Sequence, residues 1–128
     1  MKETFGSVEG APIAVGPYSI AVSAGNLLYT SGQLPIDVET GNIAGETAAI
    51  QAKYSLENLK TVIEKLGSDM KNVIKVTIFM TDIGCFSEVN DVYAEYFKES
   101  YPARSCVEVS NLPKGAQIEI EAIALMNK

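Results

Sequence analysis

The residues able to do chemistry in this chain are bounded first by one that is missing. Among 128 residues there is no histidine, against 10 basic and 16 acidic side chains and a net charge of −6. Without an imidazole, Ser-His and Cys-His nucleophilic pairs and every histidine-containing metal site are excluded. Cys85 and Cys106 stand far apart with no second pair, so CxxC redox motifs and zinc knuckles are absent. Both read as structural thiols in a reducing compartment, although one bridge is left open by sequence. Phosphate loops, dinucleotide fingerprints, GxSxG and HExxH are also absent. No metal and no cofactor are expected, and the chemistry falls to Arg, Glu, Asp, Tyr, Ser, Lys or backbone groups.

The best constellation is Arg104-Ser105-Cys106-Val107-Glu108-Val109 together with Glu119 and Glu121. Alternation sends Val107 and Val109 to one face of a strand and Arg104, Cys106 and Glu108 to the other, where Glu119 and Glu121 are expected to join them. An arginine brought near carboxylates has two readings. One is a structural ion pair. The other is an anion clamp, because the guanidinium fork matches a carboxylate bidentately and a nearby glutamate can position a water or move a proton. Weaker candidates are Tyr18 after Gly16-Pro17, Ser31 and Gly32 before Gln33, and Asn90. Each also reads as a half-buried phenol, a strand terminus or a satisfied core polar group. With no histidine to activate it, Cys106 reads as a structural thiol.

The elements that must position these residues follow from periodicity. Tyr18–Ser23 and Leu27–Ser31 flank Gly25-Asn26, a hairpin signal. A loop with Pro35 and the turn Glu39-Thr40-Gly41-Asn42 follows. Ile50, Leu56, Leu59, Ile63 and Leu66 recur near helical spacing over 47–66, and Gly67 stands where a left-handed C-terminal cap belongs. Over 73–81 the chain alternates, with Ile74, Val76, Ile78 and Met80 on one side and Val73, Lys75, Thr77 and Phe79 on the other. A second helix fits 85–98, with Phe86, Val89, Tyr93 and Phe97 or Tyr96 as its buried stripe, stopped by Tyr101-Pro102. Two strands, over 104–109 and 117–126, close the chain.

The expected order is β-β-α-β-α-β-β, an α+β fold with a mixed sheet and both helices on one face. In the last strand Ile118, Ile120, Ala122 and Ala124 would lie under the helices. Gln117, Glu119, Glu121, Ile123 and Leu125, with Phe79, would be left on the open face. An open apolar patch usually marks an interface, so a homo-oligomer with packed sheets is expected. The expectation is a soluble, cytoplasmic single domain over 1–128. Its acidic balance makes nucleic-acid partners a poor fit, and no apolar run is long enough for a membrane span.

Taken together, the segments resemble the reactive-intermediate deaminase family, RidA or YjgF-type. The resemblance is carried by Ala11-Pro12 with Gly16-Pro17-Tyr18, Leu28-Tyr29-Thr30-Ser31-Gly32-Gln33, Val76 to Asp82, and Phe86-Ser87-Glu88-Val89-Asn90. Most specific is Tyr101-Pro102-Ala103-Arg104-Ser105-Cys106-Val107-Glu108-Val109, followed by Leu112-Pro113 and Ile118-Glu119-Ile120-Glu121-Ala122. The resemblance implies a chorismate-mutase-like fold and a homotrimer with its sheets around the axis and clefts between subunits. It also implies hydrolysis of 2-imino and 2-enamino acids, such as 2-iminobutanoate and 2-iminopropanoate, to 2-oxo acids and ammonia, which protects pyridoxal-phosphate enzymes. Arg104 matches the family's carboxylate-binding arginine and Glu119 its water-positioning glutamate. Cys106 would contact the ligand through its backbone, with Tyr18, Ser31, Gly32 and Asn90 lining the cleft. The rival is a non-catalytic ligand-binding or regulatory trimer on the same scaffold, acting in purine or isoleucine regulation or translation inhibition. Chorismate mutase itself would need more basic groups than Arg104 for a dicarboxylate.

Overall fold

The computed structural model describes residues 1–127, which leaves the last position of the expected domain, Lys128, outside the described residues. The chain runs β1 (Lys2–Phe5), β2 (Ala21–Ala24), β3 (Leu27–Thr30), β4 (Ile36–Asp37), β5 (Asn42–Ile43), α1 (Ala48–Lys65), β6 (Val73–Met80), α2 (Phe86–Tyr93), β7 (Ala103–Glu108) and β8 (Ile118–Leu125). Six strands form one sheet in the order β1-β2-β3-β8-β6-β7, and β4 with β5 makes a separate two-stranded hairpin. Only β6 and β7 pair in parallel, which requires a crossover; α2 supplies it. The α+β order expected from sequence is present, with β1 and the small hairpin added.

α1 begins where the Thr47 side chain accepts the Ile50 amide proton at 3.2 Å. It ends at Leu66, followed by Gly67 at φ +97°. Leu56, Leu59, Val62 and Ile63 bury one face against Leu28, Val76, Ile78, Met80, Ile118, Ile120 and Ala124 of the sheet. Burying each such side chain contributes about 1.5–3 kcal/mol. Val89 and Tyr93 of α2 complete the same core.

Three expectations shift. Ile50, expected in the buried stripe, is 48% exposed at the start of α1. Val73 is buried and Ile74 is exposed, because Val73 pairs with Ala124 and Lys75 with Ile123, which makes Ile74 the extra residue of a β-bulge. α2 stops at Tyr93 rather than Lys98. Glu95 bonds back to Val92 and Tyr96 to Tyr93, tightening the chain into 3₁₀-type turns that bring Phe97 back to the core.

The sheet's other face carries Phe79, Glu119, Glu121, Ile123 and Leu125 as expected, joined by Tyr29 and Val107, both 43% exposed. Gln117 leaves this face, since its side-chain amide donates to the Glu46 carbonyl at 2.9 Å.

Candidate functional site

Arg104 lies on the helix side of the sheet, not on the open face with Glu119 and Glu121. In the parallel register Arg104 pairs with Val76, Cys106 with Ile78 and Glu108 with Met80, and all three partners are buried under the helices. The alternation misled because β7 is an edge strand, where the helix layer thins. Val107 therefore faces the open side, while polar side chains occupy the core-facing positions. Glu108 accepts the Ile83 amide proton at 2.9 Å. The half-buried Cys106 thiol lies 3.5 Å from the Met80 sulfur. Burial pushes that thiol up, more than Arg104 draws it down.

Arg104 is the chain's only arginine. Its guanidinium carbon stands 4.7 Å from the Tyr93 ring centroid and 5.4 Å from that of Phe86. No carboxylate comes within ion-pair distance of it: the one ion pair among the described residues is Lys65–Glu9. The structural ion-pair reading therefore finds no partner among the described residues. Phe86, Asn90 and Tyr93, spaced i, i+4 and i+7, form one stripe of α2. Asn90, Tyr93, Tyr101, Pro102 and Arg104 line an open cleft of 320 Å³.

Glu119 pairs with Phe79 on the open face. Its carboxylate lies over Gly32, where a Cβ atom would overlap it, so only glycine admits this approach. Burial, with the neighbouring Glu121 charge adding to it, holds the Glu119 carboxyl above the usual carboxylate range. Gln33 and Ile120 exchange backbone hydrogen bonds at 2.7 and 3.1 Å, which fixes Gly32 against β8. The Ser31 hydroxyl donates to the Ser19 carbonyl at 2.6 Å and so holds the Tyr18 segment beside it. Tyr18 is half-exposed and lines a mainly apolar cleft of 170 Å³ with Ile13, Val15, Gly32, Leu34 and Lys114.

The site residues expected from sequence thus fall into two groups. Tyr18, Ser31, Gly32 and Glu119 are gathered in one; Asn90, Arg104 and Cys106 in the other, with Arg104 and Glu119 on opposite faces of the sheet. Together they offer a guanidinium fork with no ion-pair partner among the described residues, open to a carboxylate, and a carboxyl whose hold on a proton is strengthened by burial. Phe86, Tyr93 and Gln33 were not among the site residues expected from sequence; the i, i+4, i+7 spacing around Asn90 was the available signal. Among the described residues, no group of three His, Cys, Asp or Glu side chains is placed to hold a metal ion.

Residues 8–126 match the family model described as Endoribonuclease L-PSP. The chain is 51% identical to a RutC family protein of Pyrococcus horikoshii over 97% of this chain and 98% of that one. It is 45% identical to a 2-iminobutanoate/2-iminopropanoate deaminase of Escherichia coli K12, over 93% of this chain and 94% of the relative. Among solved structures, E. coli TdcF with bound serine superposes with a TM-score of 0.91 at 41% identity, covering 98% of this chain and 100% of that one.

Proposed function

The chain belongs to the RidA (YjgF-type) family, and from that premise we propose that it is a 2-imino-acid deaminase. It hydrolyses 2-iminobutanoate, 2-iminopropanoate and their enamine tautomers to 2-oxo acids and ammonia, and so protects pyridoxal-phosphate enzymes in the cytoplasm. The observation that carries this reading is Arg104, whose guanidinium stands over the Tyr93 and Phe86 rings with no carboxylate of the described residues within ion-pair distance.

The chemistry asks little else of the protein. Arg104 holds the substrate carboxylate bidentately, assisted by the backbone around Cys106. Once the imine nitrogen is protonated, C2 is electrophilic. A water held by Glu119 adds to it, forming the C–O bond while the C=N electron pair moves to nitrogen. The water's first proton passes to Glu119, which returns it to the nitrogen; the C–N bond then breaks and ammonia leaves as the hydroxyl gives its remaining proton to Glu119 and the carbonyl forms. The raised proton affinity of Glu119 suits these transfers.

Arg104 and Glu119 face opposite sides of one sheet, so the complete site is assembled between neighbouring subunits of a homotrimer. The Arg104 and Asn90 cleft of one subunit meets the Tyr18, Ser31, Gly32 and Glu119 group of the next. RNA cleavage fits poorly, because the chain has a net charge of −6, no histidine and a single arginine. The experiment is Arg104→Ala, assayed with the imine generated in place from threonine or serine. Activity should fall about 10²- to 10³-fold while the oligomer persists; activity retained at the wild-type level would remove Arg104 from the mechanism.

A further inference from the structure

We propose that Phe86 and Tyr93 form an aromatic seat that holds the Arg104 guanidinium ready for an incoming carboxylate, a positioning role that rests on Arg104 being the clamp. An arginine on an edge strand is free to swing into solvent, and a site that needs it fixed commonly holds it with a protein carboxylate. That solution competes with a carboxylate ligand for the same N–H fork. Aromatic faces do not compete. The ring quadrupole attracts the cation through its flat surface within about 6 Å and leaves the in-plane donors free.

Both distances, 4.7 Å to Tyr93 and 5.4 Å to Phe86, meet that condition. The seat is itself rigid. Tyr93 is only 6% exposed and stacks at 4.6 Å on Phe97, which is also buried. Phe86 and Tyr93 stand two helical turns apart on the same stripe, so α2 presents both rings to one guanidinium. The Tyr93 hydroxyl is enclosed and has no hydrogen-bond partner among the described residues. The ring face, not the hydroxyl, is the functional part.

Because Arg104 is the sole arginine, its Nε–Hε group gives a single, assignable resonance in the ¹⁵N-labelled protein. In the wild type that resonance should show a ring-current shift. Phe86→Leu should move it toward the value of an exposed arginine, and Tyr93→Phe should leave it in place. In the imine assay Phe86→Leu should raise KM about 3- to 10-fold with kcat within about twofold, the signature of weakened ground-state carboxylate capture. Tyr93→Phe, which keeps the ring over Arg104, should raise KM by less than Phe86→Leu does. Phe86 is partly exposed, so its variant tests the seat even if Tyr93→Leu fails to fold. An Nε–Hε resonance unchanged by Phe86→Leu, or a KM raised as much by Tyr93→Phe as by Phe86→Leu, would overturn the seat. A wild-type protein with the ring-current shift but neither turnover nor binding of 2-oxobutanoate would overturn the clamp instead.

Discussion

Arg104 carries its charge with no counter-ion among the described residues, so its removal strands no carboxylate there. Arg104→Ala should therefore cost function and leave the fold intact, lowering kcat/KM about 10²- to 10³-fold, the range for losing one partner of a bidentate charged contact. Arg104→Lys should recover little, because an ammonium is a point donor and cannot reproduce the fork. Glu119 supplies a second test. Its folded-state proton affinity is raised by burial and by Glu121, so the folded chain binds more protons than the unfolded one just above the ordinary glutamate range. Stability from this group is then full at low pH and falls as pH rises through that window. Glu119→Gln should abolish turnover and flatten that decline in urea melts taken at several pH values; a steeper decline would contradict the assignment. From types and spacing a candidate carboxylate-binding arginine was legible, and the family resemblance named the other candidates, which the structure gathers into two groups. Which face Arg104 occupies was not legible, because stacking on aromatic rings lets a guanidinium take a core-facing position that alternation reserves for valine.

Elements with strong periodicity and clear punctuation were the readable ones. α1 has a capped start at Thr47, a four-residue apolar ridge and Gly67 beyond its end, and its bounds came within a residue. Thr47→Ala should lower unfolding free energy by about 1 kcal/mol in urea denaturation. β1 was unreadable because Lys2–Phe5 has no apolar alternation; it is held by edge pairing to β2 and by Phe5 packing against the core. The bulge at Ile74 and the early end of α2 also escaped, since both are set by register and core contacts across the sequence. At the junction of β3 and β8, Gly32 is where element geometry meets the site. Gly32→Ala must displace the Glu119 carboxylate, so it should cut kcat at least about 10-fold. Circular dichroism unchanged from wild type would assign that loss to the site rather than to unfolding.

For the whole molecule, the open sheet face is the feature with the widest consequence. Phe79, Ile123, Leu125, Tyr29 and Val107 sit there beside Glu119 and Glu121, while both helices cover the opposite side. The proposed trimer would bury that face between copies, which would account for its composition and bring the separated halves of the site within reach of one another. Light scattering should give the mass of three chains, and Val107→Asp should shift it toward the monomer with loss of activity; a wild-type monomer retaining full activity would contradict the intersubunit site. Generating 2-iminobutanoate from threonine with a pyridoxal-phosphate dehydratase and following ammonia release puts the proposed deaminase activity to the test. Release should accelerate in proportion to added protein. A rate equal to that in buffer alone would contradict it.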